Sequence, residues 1–231
     1  MPYYYGYDIS SLIWLIPAMI FALWAQHNVK STFQKYSKVQ SFRGMTGYDA
    51  ARLILDANGL HHVRIEAVAG DLTDHYDPKT NVIRLSETVH SARTAAAVGV
   101  AAHEAGHAVQ YAESYLPIKL RAAIIPVTNI GSSLSWPLVL LGILLSWRPV
   151  AMLGVVLFSL SVVFQLLTLP VEFNASQRAV AALAGYGLDS GSLAAAKNVL
   201  RAAAMTYVAA LATSIANLLR LISIVNRNDR R

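Results

Sequence analysis

Val100-Ala101-Ala102-His103-Glu104-Ala105-Gly106-His107-Ala108-Val109 is the stretch from which the rest of the chain is read. It holds the pattern H-E-x-x-H in an Ala-rich run without proline, a composition that favours helix. On a helix, residues four apart are surface neighbours, with Cβ atoms about 5–6 Å apart. His103 and His107 therefore sit side by side and can bind one metal ion from one side. Glu104 lies about 100° round the axis, within reach of a water on that ion. Neutral imidazoles suit Zn²⁺, and an open coordination position keeps a bound water acidic. A carboxylate beside that water can take its proton and pass it to a leaving amine. The alternative is a packed helix that happens to carry two histidines. The small and apolar residues between them instead suit a helix with one polar face turned into a cleft.

Two histidines leave a catalytic zinc site one protein ligand short. Glu113 stands six residues after His107, about 240° round the same helix, and faces away. The pattern H-E-x-x-H-x-x-G-x-x-H is not met, because Gln110 takes the Gly position and Glu113 the last His position. Glu172 is the leading candidate for the third ligand. It lies in Leu169-Pro170-Val171-Glu172-Phe173-Asn174-Ala175-Ser176 and is the only acidic residue between Glu113 and Asp189. The competing role for it is a solvated carboxylate at a helix start.

The 231 residues are 55% hydrophobic and 14% charged, against about a quarter charged in ordinary soluble domains. The apolar excess is concentrated in runs, which points to membrane segments. The net charge of +6 comes from basic residues beside those runs, a distribution that suits anionic headgroups. No zinc-finger spacing, RNA-binding signature or basic helix supports a nucleic-acid partner. There is no cysteine, so any zinc must be held by histidine and carboxylate.

Four segments are expected. Residues 1–27 form an N-terminal transmembrane anchor: the aromatic Met1–Tyr7 resembles an interfacial belt, and an apolar run follows from Ile9 to Ala25. No basic segment precedes that run and no cleavage site follows it, as a signal peptide would require. Lys30, Lys35, Lys38 and Arg43 then place residue 28 onward in the cytoplasm by the positive-inside rule. Residues 28–128 form a zincin-like catalytic part. Within it Thr46 caps a helix Gly47–Asn58, Val63–Ala69 and Val82–Leu85 are strands, and Ser86 opens a largely helical stretch to about Tyr115. Pro117 and Pro126 are expected to break the pattern that follows. Residues 129–170 form a transmembrane hairpin, with runs Leu134–Trp147 and Val150–Leu169, a tight turn at Arg148-Pro149 and an end at Pro170. Its return sets Glu172 on the same side as the histidines. Residues 171–231 form a C-terminal helical part carrying that ligand. Its last apolar run, Val208–Val225, is expected to lie at the interface, because the basic tail after it disfavours a crossing.

The chain resembles the membrane-associated neutral zinc metallopeptidases of the YugP-like family. The resemblance is carried by Thr73-Asp74-His75-Tyr76-Asp77-Pro78, Val82-Ile83-Arg84-Leu85-Ser86, Ala101–Gln110, Leu169–Ser176 and Ala202–Ala210, in order along nearly the whole chain. It is more distantly similar to the HtpX-type and CAAX prenyl proteases, which also place two membrane spans between H-E-x-x-H and a glutamate ligand. Asn174 departs from the family pattern, which usually has Asp there, so that position offers no negative charge to a ligand imidazole. The resemblance implies a bacterial cell-membrane location and peptidase activity.

Further roles are weighed against ordinary ones. Tyr207 is a candidate oxyanion donor or a packing residue. Arg178 pairs with a carboxylate, stabilises an oxyanion or is a surface residue. Asp71–Leu85 is placed to supply an edge strand and turn that align a peptide by strand addition. His75 then contacts substrate, holds an inactive-state ligand or belongs to a turn network. The expected protein is a mostly α membrane protein with a zincin-like α+β catalytic part, a small β-sheet and transmembrane helices. The expected activity is zinc-dependent cleavage of membrane-associated or unfolded proteins at a cytoplasm-facing site, with the bilayer as the other partner. The alternatives are a site-2-type intramembrane protease and an inactive zinc-binding membrane scaffold.

Overall fold

A computed structural model describes residues 9–228, so the aromatic stretch Met1–Tyr7 and the final Asp229-Arg230-Arg231 lie outside the described residues. The described chain is mostly helical. It opens with α1 (Ile9–Tyr36) and α2 (Gly47–Ala57), followed by strands β1 (Arg64–Val68), β2 (His75–Asp77) and β3 (Val82–Ser86). Helices α3 (Glu87–His90), α4 (Ala95–Ala112), α5 (Leu116–Leu144), α6 (Arg148–Gly185) and α7 (Ser190–Asn228) complete it. The described chain divides into two units, one of residues 25–119 and 169–206, the other of residues 9–24, 120–168 and 207–228.

The first unit is built around α4. Its buried core joins Ile54 and Leu55 of α2, Ile83 and Leu85 of β3, Val98, Ala101, Ala105 and Val109 of α4, Leu183 of α6 and Leu200 of α7. Neighbours press on α4 from several sides, which accounts for its small residues. A Cβ at Gly99 would lie 3.1 Å from Ala196 Cα, and one at Gly106 would lie 2.8 Å from the Ala175 carbonyl oxygen. The open positions are Val100, His103, His107 and Tyr111, spaced as one helical stripe. The sheet order is β1-β3-β2, with β1 parallel and β2 antiparallel to β3. Central β3 is the most buried strand, and β2 is an edge. Thr46 caps α2 as its sequence predicts. Its Oγ1 accepts from the Asp49 amide at 3.1 Å, and its own amide donates to Asp49 Oδ2 at 2.9 Å. The Thr46 hydroxyl, at 2.6 Å, and the Thr46 amide both donate to the Asp49 carboxylate and hold its pKa below the usual range.

In the second unit α5 and α6 form a hairpin. Ser146 turns it with a left-handed φ of 49°, and the Trp147 amide donates to the Gly142 carbonyl at 2.8 Å. Pro149 falls in the first turn of α6, where its missing N–H leaves no bond unmade. The pair packs closely, since a Cβ at Gly154 would lie 2.6 Å from the Ser135 carbonyl oxygen. Val139, Ala151, Val155, Leu221 and Val225 bury one another between α5, α6 and α7. Ile130, Leu134, Leu140, Leu144, Val156 and Leu166 instead point outward and are exposed. Helices α5, α6 and α7 are each long and apolar enough to cross a membrane.

The chain breaks before Pro117 as expected, at residues 113–115, and Pro117 sits in the first turn of α5. Two proline expectations are corrected: Pro126 lies inside α5, and Pro170 lies inside α6 rather than ending it. Each interior proline removes only one backbone bond from a helix of about thirty or more residues. The runs 192–207 and 208–225 are likewise one helix, α7.

The Thr46→Ala variant loses the hydroxyl half of the capping box and is expected to destabilise the protein by about 1 kcal/mol. Denaturant titration of the detergent-solubilised chain checks this; an unchanged midpoint refutes it.

Candidate metal centre

His103 and His107 occupy successive turns of the open stripe of α4, with ring centroids 4.6 Å apart. Glu172, in the part of α6 beyond Pro170, brings its carboxylate to both. His103 Nε2 lies 3.3 Å and His107 Nε2 3.6 Å from Glu172 Oε2. Ligand atoms of all three residues fall within 4.8 Å of one another. The side chains are largely buried, at 13%, 12% and 3% exposure. The structure thus brings the three sequence-predicted ligands together, across more than sixty residues of chain.

The surroundings orient each ring. His103 Nδ1 lies 3.1 Å from Ser176 Oγ, and His107 Nδ1 donates to Gln110 Oε1 at 3.0 Å. With Nδ1 engaged, both rings present Nε2 to the shared point, as imidazoles holding a metal do. Gln110 is fully buried and donates to the Val171 carbonyl at 2.8 Å and to Asn174 Oδ1 at 2.9 Å. Arg178 Nε donates to the same Asn174 oxygen at 2.7 Å, and Arg178 Nη2 pairs with Glu113 Oε2 at 2.7 Å. Arg178 is therefore in an ion pair, the first of the roles weighed for it.

The charges favour a cation. Burial opposes the ionised form of Glu172, yet hydrogen bonds from His103 and His107 hold its pKa well below the ordinary carboxylate range. Burial also opposes a charged His107, but Glu172 and the charge of Glu104 outweigh it and raise its pKa. Glu104 is 8% exposed and makes no hydrogen bond among the described residues. A carboxylate-rich pocket with two imidazoles and no cysteine is a hard-to-borderline donor set that suits zinc.

The other predicted residues are not among the three clustered ligands. His75 is exposed on edge strand β2, where its Nδ1 donates to the Thr73 carbonyl at 2.8 Å. Tyr207 lies in α7 within the other unit. Gln110 and Ser176 were missed as supporting residues. Their signals were a buried-helix amide three residues after His107 and a hydroxyl four residues after Glu172, each on its ligand's face. Asp74 was also undervalued. Its carboxylate accepts from the Ser86 amide at 2.8 Å and the Ser86 hydroxyl at 3.1 Å. Burial raises its pKa, Ser86 opposes the rise, and the charge of Glu104 adds to it.

A helical protein with a buried His-His-Glu group able to hold a metal ion, and with helices apolar enough for a bilayer, is the class that fold and site define. Residues 11–226 match the family model described as "Putative neutral zinc metallopeptidase", and the chain belongs to that family. It is 49% identical over 210 residues to "Putative membrane protease YugP" of Bacillus subtilis (strain 168), covering 90% of this chain and 93% of that one. No solved structure matches.

Removing the Gln110 amide frees His107 to rotate and leaves buried groups unpaired. Gln110→Ala is expected to weaken zinc binding about 10–100-fold, measured by chelator competition. Zinc must displace a proton from His107, whose metal-free pKa is raised. Apparent affinity therefore falls as pH is lowered, beginning above the ordinary imidazole range; a flat profile between pH 6 and 8 refutes this.

Proposed function

We propose that this chain is a membrane-anchored zinc endopeptidase acting on membrane-associated or unfolded proteins. His103, His107 and Glu172 are the residues that would hold the ion. Zinc bound there supplies a Lewis acid that polarises the scissile carbonyl and acidifies a water. Glu104 takes the proton of the attacking water and then delivers it to the departing amine. Gln110 and Ser176 keep the two imidazoles in the orientation that leaves Nε2 free. Edge strand β2 offers unpaired backbone groups along which an extended substrate can lie. Tyr207 remains the candidate oxyanion donor, with packing as its alternative.

The observation that carries this reading is Glu104. The residue is largely buried beside His107, yet its carboxylate oxygens are not sealed from solvent and accept no hydrogen bond among the described residues, so a lone pair stays available to a water. A general base requires that availability, whereas a zinc-binding scaffold does not. The bilayer location draws support from the name of the relative and from three helices of sufficient length and apolarity. The cytoplasmic side follows from Lys30, Lys35, Lys38 and Arg43 after the apolar run.

Glu104→Gln is expected to keep zinc near wild-type stoichiometry while lowering cleavage of a denatured, fluorescently labelled protein about 10²–10⁴-fold. Glu172→Ala is expected to lose both zinc and cleavage. Retained cleavage in Glu104→Gln removes the mechanism, and zinc-loaded wild type that cleaves no unfolded or membrane substrate favours the scaffold.

A further inference from the structure

A second recess lies in the unit that bears the metal-ligand group. It is a cleft of about 670 Å³ between the second half of α1 and the loop that enters β2. Lys30, Phe33 and Gln34 of α1 line one wall, continued by Ser37 and Lys38 in the turn just past its end. Leu72 and Thr88 line the other, with Asp71 at the rim. Two observations mark this as more than a gap. Lys30 and Lys38 have no carboxylate within ion-pair distance among the described residues, although Asp71 lines the same cleft. The Ser37 hydroxyl is closed off from solvent without a hydrogen-bond partner, which leaves a buried donor unused. Leu72 contributes an exposed apolar side chain held at a left-handed φ of 55°.

The cleft is tied to the metal-bearing helix through the sheet. Thr88 Oγ1 lies 3.2 Å from Ser86 Oγ, and Ser86 in turn holds Asp74, whose carboxyl senses the charge of Glu104. Asp71 and Leu72 precede Asp74 by three and two residues in a bent loop, so they lie at most about 7–10 Å from it. An extended peptide advances about 3.3 Å per residue, so this reach is at most two or three substrate residues. Antiparallel pairing on β2, the more stable ladder, sends the C-terminal side of a substrate toward the start of β2. That start is where the cleft opens.

We infer that the Lys30–Lys38 cleft is a substrate subsite for an acidic side chain two to four residues C-terminal to the scissile bond. The inference rests on the peptidase reading above. The two ammonium groups meet the carboxylate, the Gln34 amide offers a further donor, and Leu72 covers the stem of the side chain. Asp71 disfavours a wholly anionic ligand and suits an ordinary peptide, whose residues around the one carboxylate are neutral or basic.

The test uses the full-length, zinc-loaded Glu104→Gln protein in neutral detergent, with labelled peptides in which one Asp or its Asn counterpart is walked along a neutral extended sequence. The Asp peptide is expected to bind about three- to tenfold more tightly than the Asn peptide at one register, with the preference shrinking in salt. Lys30→Gln/Lys38→Gln added to that protein is expected to abolish the preference and leave neutral peptides and zinc content unchanged. No Asp preference, or one that survives the double variant, overturns the inference. A double variant that instead loses association with phosphatidylglycerol vesicles, with peptide preference unaltered, makes the cleft a headgroup site and also overturns it. Cleavage by wild type is measured separately. A binding preference without any cleavage keeps the subsite and removes the peptidase reading, and cleavage without preference does the reverse.

Discussion

Helices α4 and α6 approach each other so closely at Gly106 that a single methyl group would strike the Ala175 backbone. The metal-ligand group depends on that approach. It puts Gln110 within hydrogen-bond distance of the Val171 carbonyl and Asn174, and it puts Glu172 beside both histidines. Gln110 is fully buried and uses both ends of its amide, one for the ligand imidazole and one for the other helix. Orienting the ring and docking the helix are therefore one interaction. Leaving any of those buried groups unpaired costs about 1–3 kcal/mol, a large share of the stability of a typical domain.

The departure at Asn174 has a structural account. Its side-chain oxygen receives both Gln110 and Arg178, so it relays between them without being charged. The charge that an aspartate would have brought to Arg178 is supplied by Glu113 at 2.7 Å. Orientation of His107 comes from the neutral Gln110 oxygen in either case. The imidazole keeps its geometry but lacks the basicity that a carboxylate partner confers.

Negative charge gathers around the site from three elements: Glu104 on α4, Glu172 on α6 and Asp74 at the entry to β2. Without an ion, His107 responds by holding its proton more firmly. A divalent cation satisfies the same field better, since it interacts with Glu172 and both imidazoles together. Asp74 also links the site to the sheet, because its bonds to Ser86 fix the strand entry at which an extended chain would be received.

The local parts of this protein were legible in its amino-acid order. The spacing of His103 and His107, the cap at Thr46 and the strands near residues 64 and 82 follow from periodicities of 3.6 and 2 and from capping chemistry, which act over a few residues. The hairpin turn falls at residues 145–147, just ahead of the expected Arg148-Pro149, which instead opens α6. Glu172 was found by elimination, since no other acid lay in the stretch after the motif. The continuity of α6 through Pro170 and of α7 through Tyr207 was not legible, because a proline cost or a change of composition is local while the packing that outweighs it is not. The docking of Gln110 onto α6 and the role of Ser176 were hidden for the same reason: those partners lie more than sixty residues away. Sequence alone determined which side chains can hold a metal and on what kind of element. Only the tertiary structure decided which buried partners aim them, because that depends on how near two helices come, and here a missing methyl group at Gly106 sets that distance.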